Sequence, residues 1–131
     1  MIARVLITIG IALYAVAVPI LEINDTHVFN PQWPPHARLH EVWQLISNTS
    51  IGLLSLWLTW FRNDLKMPAI LTFVVTGGFL AAYVLRASYG GSMLHSDGSE
   101  LTLVGVNAGV LGFGAAFMLA ALGLRLERTR S

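Results

Sequence analysis

The sequence predicts an all-α integral membrane protein, a four-helix bundle with its N-terminus and C-terminus in the cytoplasm. Three observations predict it. Apolar residues make up 55% of the chain and charged residues only 11%, whereas an ordinary soluble domain carries about 25% charged residues. Four apolar stretches are each long enough to cross about 30 Å of hydrocarbon at about 1.5 Å per residue. The basic residues gather in the connections of one side. A length of 131 residues suits a single domain, 1–131.

The spans fall at residues 2–20, 42–61, 67–87 and 101–124, to within a few positions. A crossing segment must satisfy its backbone internally, and no period-two alternation suggests a barrel, so each span is a helix. The first carries one early base, Arg4, and runs through Pro19, Ile20 and Leu21 to Glu22. An apolar run of that length predicts a retained span and not a cleaved signal.

The connection Arg62-Asn63-Asp64-Leu65-Lys66 is short and basic, and the tail carries Arg125, Arg128 and Arg130. With Arg4, six of the eight basic residues fall on one side; only Arg38 and Arg86 fall on the other. The positive-inside rule puts both termini and the middle connection in the cytoplasm. The longer loops 22–41 and 88–100 then lie on the non-cytoplasmic side. A net charge of +1, with no basic stripe away from the chain ends, excludes a nucleic-acid partner. The absence of cysteine excludes disulfides, thiolate metal sites and cysteine nucleophiles. No cofactor is expected.

The far side has its own chemistry. All four histidines lie there, His27, His36, His40 and His95, with five of the seven acids, Glu22, Asp25, Glu41, Asp97 and Glu100. Loops outside a membrane are polar in any case, which accounts for His27, His95 and Asp97 as well as a function does.

The second span is unusual. Its outer part reads HARLHEVWQLISNTSIG over residues 36–52. At about 100° per residue, His36, His40, Gln44 and Ser47 share an arc of about 80°, which Glu41 and Asn48 widen to about 140°. Thr49 and Ser50 lie off it. Polar side chains are costly in hydrocarbon, about 2.5–3.5 kcal/mol for one charge at a helix centre, so such a face is expected to turn inward or onto a wet cavity. Interhelical hydrogen bonds, worth about 0.6 kcal/mol each, explain Ser47 or Asn48 alone better than six such residues together. In the fourth span Asn107 is the one strongly polar interior residue, and Glu100 shares its face. Gly105 and Gly109 form a small-xxx-small pair, followed by Gly112 and Gly114; with Gly77 and Gly78 they are expected to permit close helix packing. Arg86 either snorkels to the headgroups or pairs with Glu41 or Asp25. Aromatic residues near the boundaries form interfacial belts, and Trp43 could also wall a pocket beside His40 and Gln44.

Several stretches together carry a family likeness. They are PILEIND at residues 19–25, Pro34-Pro35 followed by EVWQL at 41–45, KMPAIL at 66–71 and LTLVGVNAG at 101–109. In these the chain resembles the EXPERA group of four-helix membrane proteins, which includes the sigma-2 receptor and relatives of the emopamil-binding sterol isomerase. The resemblance implies a pocket inside the bundle for a sterol-like or amine-bearing hydrophobic ligand, with Asp25 and Glu41 as its ligand-facing acids. Isomerase members pair a histidine and a glutamate one helical turn apart; here His40 and Glu41 are adjacent.

Two carboxylates facing one dry pocket cannot both ionise cheaply, so one keeps its proton. Such a pair can hold a cationic ligand. It can also protonate one carbon of a double bond and take a proton from a neighbouring one. Asp25, Glu41 and His40 are the candidate catalytic residues. Gln44, Asn48, Trp43, Asn107 and Arg86 are the candidate ligand contacts. Two other readings stay open. His36 and His40, four residues apart, could share a metal ion with Glu41. A non-enzymatic partner-binding protein could use its glycine-bearing fourth helix as a homodimer face.

Overall fold

The computed structural model describes residues 1–129. Four long helical segments carry the chain: α1 at Ile2–Glu22, α2 at Pro35–Phe61, α3 at Lys66–Leu85 and α4 at Ala108–Arg128. A 3₁₀ turn, Arg86–Ser88, closes α3. The most extensive packing is between α1 and α4; α4 also packs on α3, α3 on α2 and α2 back on α1, so the helices form a ring with α2 and α4 across its diagonal.

Three of the four, α1, α3 and α4, are long and apolar enough to cross a membrane, with mean hydropathies of 2.2, 1.9 and 1.8. The chain is therefore read as a membrane protein. α2 has the length but is not among the three, because polar residues fill its N-terminal half.

The helix starts follow local chemistry. Asp64 accepts from the amides of Lys66 and Met67, capping α3. Pro35, which has no N–H to lose, opens α2. In α1 the residues Leu13–Ala17 form a π-helical turn just before Pro19. Proline offers no N–H to the carbonyl four residues back, here that of Ala15. The Thr49 hydroxyl of α2 donates to that carbonyl at 3.2 Å.

The fourth span differs from the sequence expectation at its start. Residues 101–107 are not helix. Thr102–Leu103 and Val106–Asn107 pair as a short antiparallel hairpin, β1 and β2, turning through Val104 and Gly105. Both turn residues have positive φ, the conformation of tight hairpin turns. Asn107 is thus no mid-span residue: it caps α4, its Oδ1 accepting from the amides of Gly109 and Val110.

Of the glycines expected to allow close packing, Gly109 does, a Cβ there lying 3.2 Å from Phe79, but the tightest approaches are at other glycines. A Cβ on Gly52 of α2 would lie 2.3 Å from Ala15 Cβ, and one on Gly123 of α4 would lie 2.7 Å from Ile7. Gly78, Gly105 and Gly114 have open space around them, and Gly77 meets only Phe117 at 3.9 Å. The small-residue stripe of α4, Ala116, Ala120 and Gly123, is buried inside the bundle.

Arg4, on α1, donates to Asn63 of the α2–α3 connection, and Trp60 donates to Thr8 at 3.0 Å. Gly123 of α4 lies against Ala3 and Ile7. The basic connection and the two chain ends therefore share one end of the bundle, and the two longer loops share the other.

Candidate functional site

A cavity of about 600 Å³ opens at the end of the bundle that carries the longer loops. Its walls are mostly apolar: Leu13, Val18 and Leu21 of α1, the stacked rings of Phe79 and Phe113, and Leu101 and Leu103 of the hairpin. Gly112 of α4 also lines it, and a Cβ there would meet nothing within 4 Å. The polar end is built by Glu22, His27, His95 and Asn107, with Asn24 and Thr26 behind them.

Glu22 is the last residue of α1, where the apolar run stops. The chain turns back immediately, the Glu22 carbonyl accepting from the amides of Asn24 and Val28. This turn brings His27 Nε2 to 2.9 Å from Glu22 Oε2. The neighbouring bonds fix the tautomer. Asn24 Nδ2 donates to the Leu21 carbonyl at 2.6 Å, which points Asn24 Oδ1 at Thr26. The Thr26 hydroxyl gives its one proton to that oxygen at 2.6 Å. His27 Nδ1, 2.7 Å from the same hydroxyl, must then be the donor. On this network His27 Nε2 and the Glu22 carboxylate hold one proton between them.

Hydrogen bonding to Glu22 is the main cause that raises the pKa of His27 above its usual 6.5; partial burial opposes it, and the charges of Glu22 and Glu41 add to it. The Glu41 carboxylate lies within Coulombic range of both Glu22 and His27.

The two longer loops are joined beside this pair. The His27 ring meets His95 edge to face at 5.2 Å and Trp33 at 5.5 Å. Asn30, 3% exposed, donates to Ser96 Oγ and to the Thr26 carbonyl, both at 2.9 Å. His95 Nδ1 lies 3.0 Å from Ser99 Oγ. The Ser99 hydroxyl and amide both donate to Asp97, holding its carboxyl below the usual range.

Of the residues expected from sequence, Asn107 lines the cavity; its Nδ2 donates to Glu100 Oε1 at 2.9 Å. Asp25 and Glu41 do not meet in a common cavity. Asp25 is exposed and lines a smaller polar pocket of about 240 Å³ between the loops, with Asn30, Ser96 and Asp97. Glu41 is half-buried behind the Glu22–His27 pair, outside the lining. Arg86 folds back on its own helix end, donating to the Tyr83 carbonyl at 2.7 Å with its guanidinium over the Tyr83 ring.

The polar arc of α2 is split. The buried residues Leu45, Gly52, Ser55 and Thr59 occupy about 80° of the helix, and Glu41 and Asn48 fall within that arc at about 100° per residue. His36, His40 and Ser47 lie about 60–100° beyond it. His36 and His40 are exposed and satisfy each other, Nε2 to Nε2 at 3.0 Å, while Trp43 and Gln44 are exposed beside them. Among the described residues no three His, Asp or Glu side chains converge as a metal site needs, so His36 and His40 stand without a third ligand.

Glu22, His27 and His95 are the site residues that pattern reading passed over. Their signal was present: a carboxylate on the last turn of an apolar helix, with an imidazole five residues on across a turn.

Compared with known proteins, the chain matches no family model, no curated protein and no solved structure. Its own geometry carries the functional argument.

Proposed function

We propose that the protein crosses the membrane four times, with both termini and the connection 62–66 in the cytoplasm, and binds a hydrophobic small molecule of sterol or terpenoid type in the cavity at its outer end. α2 joins the other three as a span on this reading. Its apolar side chains Leu53, Leu54, Trp57 and Phe61 point outward as those of the other helices do. Its length of 27 residues corresponds to about 40 Å of helix. The shared end of Arg4, Arg62, Lys66, Arg125 and Arg128 supports the sidedness.

One observation carries the binding proposal: an apolar cavity of about 600 Å³ with a single polar end built on the Glu22–His27 pair. That volume lies within the usual range for small-molecule sites, about 300–1,000 Å³. A ligand with a rigid apolar body and one hydroxyl or amine fits it, the body along Leu13, Val18 and Phe113 and the head at Glu22 and His95. The likeness to the EXPERA group implies the same ligand class, and the acid it assigns to Asp25 is here Glu22. The test is titration of detergent-purified protein with a fluorescent sterol and a fluorescent isoprenoid alcohol. Saturable binding of either at one per chain, weakened at least about tenfold by Glu22→Gln, supports the proposal. Equal binding by Glu22→Gln and wild type goes against it.

A second reading is double-bond isomerisation. The proton shared by His27 and Glu22 at the polar end of a mostly apolar cavity favours it. The imidazolium gives a proton to one alkene carbon, the cation forms on the other, and the Glu22 carboxylate takes a proton from the next carbon along, so the double bond moves by one position; that proton passes from Glu22 back to His27 Nε2 and the pair returns to its starting state. Deuterium uptake into an added unsaturated sterol from D₂O, lost in His27→Gln, distinguishes turnover from binding.

A further inference from the structure

We infer that the hairpin Thr102–Asn107 is a membrane-interface element that inserts its tip, Val104, into the outer leaflet and forms the lipid side of the cavity wall. This rests on the membrane reading but not on the identity of the ligand.

The turn is chemically unusual. Val104 has φ +49 and Gly105 has φ +79. A tight hairpin turn of this kind takes Asn-Gly or Asp-Gly, whose first residue tolerates the left-handed region and is content in water. Here a β-branched residue, the least suited to positive φ, stands at that position and is 96% exposed. In water it would carry both backbone strain and an unsheltered apolar side chain. Lipid removes the second cost and leaves a reason for valine.

The rest of the hairpin agrees. Leu101, Leu103 and Val106 are also exposed, and no charged residue stands between Glu100 and Asn107. A two-residue ladder is too short to hold itself. It is held at its base, where the Ala108 amide donates to the Leu101 carbonyl and Asn107 bonds Glu100. The polar base lies at the capped start of α4, and the apolar tip projects from it. The occupant that fits a small, uncharged, convex apolar tip is the acyl region just under the headgroups, the medium that the outward-facing Met118 and Leu122 of the same helix require. Leu101 and Leu103 border the cavity as well.

The chain has no cysteine, so a single introduced thiol is labelled cleanly. Val104→Cys carrying an NBD fluorophore is reconstituted in phosphatidylcholine vesicles. Val74→Cys, exposed midway along α3, serves as the bilayer reference, and Gln32→Cys, exposed in the first outer loop, as the water reference. The expected result is at least about twofold quenching of the Val104 label by lipid-borne nitroxide, with little quenching by aqueous iodide. Iodide quenching at Val104 equal to that at Gln32 overturns the inference. Protection from both quenchers overturns it too, since it places protein, such as a second copy, over the tip. The Val74 label separates the two failures. Nitroxide quenching there with iodide quenching at Val104 refutes the hairpin alone; iodide quenching at both refutes the membrane reading itself.

Discussion

His27 Nε2 stands 2.9 Å from Glu22 Oε2, and the Thr26 hydroxyl on the other ring nitrogen leaves these two groups a single proton to share. The pair ties the end of α1 to the loop that follows it. Its strength depends on the state of that proton.

The pH dependence follows from the sign of the shift. His27 has a pKa raised by the fold above 6.5, chiefly by its bond to Glu22. The stability it contributes is complete below the unfolded-state value and is lost as pH rises through the folded-state value. Melting temperatures in detergent, followed from about pH 6 to about pH 9, should fall for wild type and change less for Glu22→Gln. An NMR titration of His27 should show the Glu22→Gln midpoint below that of wild type.

Gly52 and Gly114 make a matched comparison. A methyl on Gly52 would overlap Ala15 at 2.3 Å, whereas one on Gly114 meets nothing within 4 Å. Gly52→Ala should force α1 and α2 apart and cost about 1–3 kcal/mol. Gly114→Ala should be neutral or slightly stabilising. Thermal unfolding of the two variants in one detergent checks both.

Thr49 supplies the Ala15 carbonyl with the donor that Pro19 lacks. Thr49→Val should cost about 0.6–1 kcal/mol. In a Pro19→Ala background, where a backbone N–H returns, the same change should cost less. A double-mutant cycle on unfolding free energy reads the coupling directly.

The carboxylates should separate by role. Glu22→Gln should weaken binding of the fluorescent sterol or isoprenoid at least about tenfold, and Asp25→Asn less than about twofold, because Asp25 lines a different pocket. Equilibrium titration of the two variants decides it.

Much of the helical architecture was legible because burial in lipid needs long apolar runs, and these are plain in residues 2–22, 66–85 and 108–128. The hairpin was not. Thr102 to Val106 are apolar enough to extend the fourth span, but the chain there forms a hairpin turning at positive φ through Val104 and Gly105, and the helix starts only after the Asn107 cap. The polar arc of α2 was expected to turn inward as one face and is instead split, because the periodicity of one helix does not say which edge faces its neighbours. Close contact at Gly52 sets that rotation, turning Glu41 and Asn48 inward and leaving His36 and His40 outside. Asp25 and Glu22 lie three residues apart, and the turn after α1 gives the cavity to Glu22. A turn of that kind depends on the Asn24, Thr26 and His27 bonds acting together, which no spacing rule encodes.

Gly112 offers the most direct test of whether the cavity holds a ligand, because it lines the cavity and a Cβ there meets nothing within 4 Å, so a larger side chain should take up cavity space. The measurement is mass spectrometry of organic extracts from wild type and Gly112→Leu, purified in parallel from the same membranes. The expected result is one apolar small molecule, near one per chain in wild type and depleted at least about tenfold in the variant, with melting temperature unchanged or raised. Indistinguishable extracts from two equally folded proteins would contradict ligand binding in this cavity.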